Sequence, residues 1–142
     1  MANADIVQKV GVSKDRFMAT LVDYAAYPEF VEGAKKVDVS KVSDTVSRVA
    51  YQISMMGQDI QYTLEHTEDR AAGEMSWILI ESNFLKKNAG KWSLKDLGGD
   101  SCEVRYEIEI EFTISVPSFI LNRLVKGSLP SMIKSFEKQA KG

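Results

Sequence analysis

The stretch from Val116 to Ala140, VPSFILNRLVKGSLPSMIKSFEKQA, is the longest segment with helical periodicity in the chain, and the rest of the fold is organised around it. A helical wheel places its main apolar residues on one stripe, with Ser128 and Ile133 at the edges. The stripe consists of Leu121, Val125, Leu129, Met132, Phe136 and Ala140. Pro130 lies on the opposite, charged side, where a proline makes a helix convex toward solvent. The segment therefore predicts a long helix that curves over an apolar surface.

The remaining sequence must supply that surface. The last segment before the helix alternates strictly between apolar even positions and polar odd positions, from Ser101 to Ser115. The even positions are Cys102, Val104, Tyr106, Ile108, Ile110, Phe112 and Ile114. A strand with one dry and one wet face is typical of an antiparallel sheet. Strands of this length must twist and curl.

Upstream, the chain predicts a first strand over Asp5–Val12 and then two helices. Ser13 is a good N-cap for a helix that continues to about Tyr24. A short second helix opens near Pro28, and Gly33 closes it. Several closely spaced strands follow, with Val49 to Met55, Ile60 to His66, Met75 to Ile80 and Ala89 to Leu97 among them. The order is strand, two helices, six strands and a long helix.

This order predicts an α+β fold with a single domain over residues 1–142. A curved antiparallel sheet of about seven strands wraps the long C-terminal helix, and two short helices follow the first strand. The chain length of 142 residues suits one such domain.

Charge and composition argue against several classes of protein. The net charge of −2 gives no electrostatic case for binding nucleic acid. One cysteine, Cys102, excludes an internal disulfide and a cysteine zinc cluster. The N-terminal residues hold no apolar signal segment, and no apolar run is long enough to span a membrane, so we expect a cytoplasmic location.

Several local signatures, in order along the chain, carry a family resemblance. They are Asp23-Tyr24, Tyr27-Pro28-Glu29-Phe30, Gly90-Lys91-Trp92-Ser93-Leu94, Val116-Pro117-Ser118-Phe119, Asn122-Arg123-Leu124-Val125 and Leu129-Pro130. Together they resemble the helix-grip superfamily of START lipid-transfer domains and birch-pollen-allergen-like proteins, in its polyketide cyclase/dehydrase and coenzyme Q-binding branch. The resemblance implies a hydrophobic cavity between the sheet and the last helix, but it does not identify a ligand.

The alternation of the strands places aromatic and methionine side chains toward that cavity. Such residues usually form plain core, but several buried tyrosine hydroxyls in one space would offer polar contacts to a ligand head group. The predicted lining consists of Tyr51, Met55, Tyr62, Trp77, Trp92, Tyr106, Ile108, Leu121, Val125 and Met132. The predicted cavity mouth consists of Tyr27, Phe30, Phe119, Ile120 and Leu124.

No catalytic set, metal site or cofactor is predicted. His66 is the single histidine, at the end of an alternating apolar face, and a partner side chain or water would satisfy it as well as a ligand would. Asn88 and Arg48 lie on strands whose facing the pattern leaves open, so solvent exposure is the simplest expectation for both.

Three functions remain open. The first is binding or transport of a hydrophobic small molecule, such as a lipid, an isoprenoid quinone or a polyketide. The second is a polyketide cyclase or aromatase that uses pocket tyrosines, and the third is a protein-interaction module acting on the ribosome or a chaperone. Arg123 and Lys126, beside apolar residues at the start of the helix, also suggest transient contact with a membrane surface.

Overall fold

The computed structural model describes residues 2–55 and 57–142, except for the side chains of Ala2, Met55 and Leu124. The strands are β1 (Ala2–Val10), β2 (Ala34–Lys41), β3 (Val46–Met55), β4 (Gln58–Asp69), β5 (Glu74–Ser82), β6 (Leu85–Gly98) and β7 (Ser101–Phe112). They form one antiparallel sheet in the order β1-β7-β6-β5-β4-β3-β2. The predicted fold, with two short helices after the first strand and a long C-terminal helical segment, is confirmed.

The first two helices follow the predicted start signals. Helix α1 (Lys14–Leu21) begins after Ser13, whose Oγ accepts a hydrogen bond from the Arg16 backbone N–H at 3.3 Å. It ends at Leu21, earlier than predicted, and a 3-10 turn (Tyr24–Ala26) leads into α2 (Tyr27–Phe30). These elements bury Phe17 and Leu21 completely and so cover one end of the sheet.

Strand β7 shows the predicted alternation with one correction at its end. Cys102, Val104, Tyr106 and Ile110 are buried, whereas the strand ends at Phe112, before the predicted limit. Ile114 therefore lies outside the sheet and is 55% exposed, so its predicted inward position is wrong. After Phe112 the Thr113 backbone N–H still donates to the Phe84 carbonyl oxygen at 2.9 Å, but the strand pairing ends there and the chain turns toward the helix.

The ladder between β5 and β6 covers only part of the two strands. It pairs Glu74–Trp77 with Gly90–Ser93, although β6 begins at Leu85, earlier than predicted. Gly90 is needed where the ladder stops, because a Cβ there would meet the Trp77 ring at 2.5 Å and also the Glu107 carbonyl oxygen. The missing side chain lets the Trp77 ring lie across β6 on the inner face.

The C-terminal segment is helical from Ser118 to Lys141, so it begins two residues after the predicted start at Val116, and it has three parts. Helix α3 (Ser118–Arg123) passes through a π-helical turn (Leu124–Ser128) into α4 (Leu129–Lys141). Pro130 lies in the first turn of α4 and has no backbone N–H to donate. The irregular hydrogen bonding of the preceding π turn accommodates this missing donor.

The wide π turn also rotates the buried face of α4 relative to the predicted apolar stripe. Leu129, Phe136 and Ala140 are buried as predicted, but Ile133 is fully buried while Met132 is half-buried. The predicted placement of Ile133 at the edge of the stripe is therefore wrong. A π turn holds an extra residue, which rotates the helix that follows it, and an uninterrupted wheel does not include that rotation.

Helix α4 is the anchored part of this segment. It packs on α1, and the Glu137 carboxylate accepts a hydrogen bond from the Gly11 backbone N–H at 2.7 Å. Within the described residues, the backbone of α3 approaches the sheet and the other helices only sparsely. No helix in the described part of the chain combines the length and the apolar character that a membrane span requires.

Candidate functional site: the interior between sheet and helix

The interior is closed at the end covered by α4. The Phe136 ring lies within 5.0–6.3 Å of four other aromatic rings, measured between ring centroids. These rings belong to Phe17, Tyr27, Phe30 and Trp92. Contacts of this kind are typical of a packed aromatic core. A ligand would have to displace these side chains, so we do not place a site there.

The interior is less closed under α3. Leu85 and Ile110 are buried there, and the apolar side chains that surround them keep part of their surface accessible. These half-buried neighbours are Tyr62, Leu79, Phe84, Phe112 and Leu121. Ile108, Val125 and Met132 are likewise half-buried at the boundary with the main core. We call this region, between the inner face of the sheet and the α3–π segment, the α3 chamber.

His66 lies on the inner face of β4, and only 3% of its surface is exposed. Its Nδ1 lies 3.1 Å from the Met75 sulfur, and its Nε2 lies 2.7 Å from the Tyr51 hydroxyl. A thioether can only accept, so Nδ1 carries the proton and Nε2 accepts a hydrogen bond from Tyr51. Protein partners satisfy both ring nitrogens, which agrees with a structural role for this histidine.

The second buried polar pair joins Trp77 and Asn88. The Trp77 Nε1–H donates to Asn88 Oδ1 at 2.8 Å, just beyond the point where the β5–β6 ladder stops. Asn88 is 6% exposed, so the expectation of solvent exposure for it is wrong. Arg48 is exposed as expected and pairs with Glu65. The only signal for Asn88 was its place within the alternation of β6, two residues before Gly90.

Two tyrosine hydroxyls of the inner face have no protein partner among the described residues. Tyr62 and Tyr106 make ring contacts, to Tyr51 and to Trp77 and Trp92, but no side-chain hydrogen bond. No side-chain nitrogen or oxygen that is sealed from solvent lacks a partner in the same part of the chain. The Tyr62 and Tyr106 hydroxyls therefore border accessible space. Burial raises the pKa of both phenols above the usual value, so both stay protonated at neutral pH.

The structure separates the residues predicted for the cavity lining. Tyr62, Ile108, Leu121, Val125 and Met132 are half-buried in or beside the α3 chamber. Tyr51, Trp77 and Tyr106 are buried in the main core, where Tyr51 stacks on Tyr62 and Trp77 stacks on Tyr106, whereas Trp92 contacts Phe136 at the packed end. The predicted lining residue Met55 and the predicted mouth residue Leu124 have side chains outside the described part of the structure.

The structure does not bring the remaining mouth residues together. Tyr27 is buried, and its hydroxyl donates a hydrogen bond to the Leu21 carbonyl oxygen. The rings of Tyr27 and Phe30 both contact the Phe136 ring. Phe119 and Ile120 lie at the other end of the helical segment, and Phe119 is 65% exposed. Membrane contact by this end of the helix stays a prediction.

The surface of the described residues has one depression beside the start of α3 and another over strands β1, β7 and β6. The smaller, about 170 Å³, lies where the chain enters α3 and is lined by Gln58, Phe84, Ile114, Ser115, Val116, Pro117 and Ile120. The larger, about 540 Å³, is open to solvent and lies over β1, β7 and β6, with Asp5, Lys91, Glu107 and Glu109 among its lining residues. Its charged rim suits an apolar ligand poorly. The described residues contain no group of three or more His, Cys, Asp or Glu side chains placed to hold a metal ion.

The buried His66 gives a pH-dependent stability that can be measured. Burial lowers the pKa of His66 from 6.5 to about 3, so between these values the unfolded chain binds a proton that the folded protein does not. This contribution is complete above pH 6.5 and decreases by about 1.4 kcal/mol per pH unit as the pH falls. We expect His66→Gln, whose amide oxygen can still accept from Tyr51, to weaken the pH dependence of the urea midpoint between pH 6.5 and 4.5. Equal slopes in the two proteins would show that His66 is not buried in its neutral form.

Comparison with known proteins places this geometry in a family. The family model for "Polyketide cyclase / dehydrase and lipid transport" matches residues 10–137. The fold is similar to a START superfamily protein of Mycobacterium smegmatis, with a TM-score of 0.86, 16% identity and coverage of 99% of this chain and 98% of that one. It is equally similar to the Zhui aromatase/cyclase of Streptomyces sp. R1128, with a TM-score of 0.86, 12% identity and coverage of 98% and 93%.

The curated relatives found by sequence comparison are named as toxins, not as cyclases. The ribosome association toxin RatA of Escherichia coli K12 is 22% identical over 93% of this chain and 82% of the relative. The persistence and stress-resistance toxin PasT of Escherichia coli O6:H1 is 23% identical with the same coverage. These identities are low, but the family model spans most of the sequence. The chain therefore belongs to the polyketide cyclase/dehydrase and lipid transport family.

Proposed function

We propose that this protein binds a hydrophobic small molecule in the α3 chamber. The observation that carries the proposal is the half-buried apolar surface beneath α3, in a protein whose other end is packed around Phe136. Residues that belong to a finished core are usually fully buried, and partly covered apolar side chains next to free hydroxyls are typical of a ligand site. The α4 end would act as the fixed scaffold.

The polar groups favour binding over acid catalysis. Burial raises the pKa of Tyr62 and Tyr106, which makes both phenols weaker acids and keeps them available as hydrogen-bond donors at neutral pH. His66 is held between Tyr51 and Met75, so its nitrogens are not available to a substrate. We therefore favour a carrier or binding protein over a cyclase for this chain.

A titration with a neutral hydrocarbon probe, diphenylhexatriene, tests the proposal. Val125 is half-buried on the helix side of the chamber, whereas the next residue, Lys126, is exposed. We expect the probe to fluoresce on binding to the wild-type protein, and Val125→Trp to weaken that binding by about tenfold or more because the indole fills the chamber.

The matched control is Lys126→Trp, which adds the same side chain outside the chamber and should bind the probe like the wild type. Absence of probe binding by the folded wild-type protein would refute the proposed function. Equal weakening by both tryptophans would place the bound probe outside the chamber.

Ribosome association is a second candidate, favoured by the names of the curated relatives RatA and PasT. It needs no ligand chamber. Sedimentation with purified ribosomal subunits through sucrose at physiological salt tests it directly. Co-sedimentation that Val125→Trp does not change would support an interaction independent of the chamber, and sedimentation only at the top of the gradient would exclude it under those conditions.

A further inference from the structure

Asn88 is a buried amide whose orientation the structure fixes. Its Oδ1 lies 2.8 Å from the Trp77 Nε1, and an indole N–H can only donate. The atom that faces Trp77 must therefore be the oxygen, so the amide nitrogen points away from the indole. The side chain lies on the inner face of β6, opposite Ile110 of β7 in the α3 chamber.

The Asn88 nitrogen still has its hydrogen-bonding capacity. It makes no hydrogen bond to another described residue, and no sealed side-chain nitrogen or oxygen in that part of the chain lacks a partner. Asn88 is only 6% exposed, so the small accessible area of its nitrogen lies within the interior of the fold, and we infer that it faces the chamber that Ile110, its partner on β7, helps to form. An oriented donor pair that no protein group uses is expected to bind an acceptor from a ligand or a water molecule.

The other polar groups of the chamber also supply donors. Tyr62 and Tyr106 each hold a free hydroxyl, while the Tyr51 proton is already donated to His66. No cation balances a buried anion here, because every lysine and arginine in the described ranges is exposed or half-buried. The nearby acid Glu68 already accepts a hydrogen bond from Tyr24. The chamber therefore suits a neutral acceptor oxygen better than a carboxylate.

We propose that Asn88, held by Trp77, makes this chamber selective for an apolar molecule that carries a neutral carbonyl oxygen, such as a ketone, a quinone or an ester. This inference rests on the proposed function. Asn88 would determine specificity by donating one amide hydrogen to the carbonyl oxygen of the ligand. Trp77 would be a positioning residue, since it fixes which end of the amide faces the ligand.

Competition against bound diphenylhexatriene tests the selectivity with three ligands of one chain length. These are undecane, methyl nonyl ketone and undecanoate, which differ in the presence and the charge of an acceptor oxygen. We expect the ketone to displace the probe at a concentration about three to ten times lower than either other ligand needs, as one additional hydrogen bond allows. Equal displacement by ketone and alkane would overturn the inference while probe binding itself still supports the proposed function.

The variants assign the selectivity to Asn88. We expect Asn88→Leu to bind the ketone no more tightly than the alkane, and Asn3→Leu, the same change at an exposed asparagine of β1, to keep the wild-type preference. Asn88→Leu leaves the buried Trp77 N–H without a partner, which lowers stability. The double variant Trp77→Phe with Asn88→Leu removes both polar groups, so it avoids this unpaired donor and should keep the fold. Trp77→Phe alone should reduce the ketone preference without changing alkane affinity, because the amide can then rotate.

A ketone preference that survives in both proteins lacking the amide would contradict the role of Asn88. A preference for undecanoate over the ketone in the wild type would contradict the choice of a neutral ligand. If water alone satisfies the amide, all three ligands displace the probe equally, and the inference fails.

Discussion

Replacing Ile110 by aspartate is expected to unfold the domain. Ile110 is 5% exposed on the inner face of β7 and packs with Leu85, and no cation lies on that face of the described sheet to pair with the new charge. A buried, unpaired carboxylate costs about 3–5 kcal/mol, which is a large part of the stability of a typical domain. We expect the variant to lose its cooperative urea transition at pH 7 or to shift it below half the wild-type midpoint.

The neighbouring residue supplies the control. Glu109 lies on the outer face and pairs with Lys87, and both side chains are more than 40% exposed, so Glu109→Ala should change the free energy of unfolding by less than about 1 kcal/mol. Val104→Asp, at a fully buried position of the same strand, should reproduce the effect of Ile110→Asp. Similar midpoints for Ile110→Asp and Glu109→Ala would show that the facing of β7 is assigned wrongly.

Adding a single methyl group at Gly90 is expected to be nearly as damaging. An alanine Cβ would meet the Trp77 ring at 2.5 Å and the Glu107 backbone carbonyl, and a backbone atom cannot move aside as a flexible side chain can. Overpacking of this kind costs about 3 kcal/mol. The displaced indole would also lose its hydrogen bond to Asn88, so we expect altered tryptophan fluorescence together with a lower urea midpoint.

Gly127 offers a matched comparison, because a Cβ at that position meets nothing within 4 Å. Gly127→Ala should keep or raise the stability, by up to about 1 kcal/mol, since alanine favours helix more than glycine does. A Gly90→Ala protein as stable as Gly127→Ala would mean that Trp77 does not lie across β6.

Sequence patterns predicted most of the fold because strict alternation and helical periodicity record which face of an element is buried. The even residues of β7 and the stripe of the last helix place the sheet and the helix correctly. The shift from Met132 to Ile133 could not be read from the pattern, because a wheel assumes a regular turn and the π turn adds a residue. The predicted inward position of Ile114 is wrong for a related reason, since alternation does not show where the partner strand ends.

The candidate site was harder to predict than the fold. Alternation identified Tyr62 and Tyr106 as inward residues, but it could not show which aromatic groups pack together and which border free space. Trp92 and Tyr27 are closed in by Phe136, a contact between distant parts of the chain. Asn88 was missed because its burial depends on Trp77 crossing Gly90, which only the paired strands reveal.

A crystal structure of the protein grown with a bromine-labelled long-chain methyl ketone would show whether an apolar ligand occupies the α3 chamber. The anomalous signal of bromine locates the ligand independently of the protein density. We expect it in the α3 chamber, between the half-buried face of the sheet and Val125, with the ketone oxygen within hydrogen-bond distance of the Asn88 amide nitrogen. Bromine found only on the outer surface, for example beside the exposed Ile78, would contradict the account.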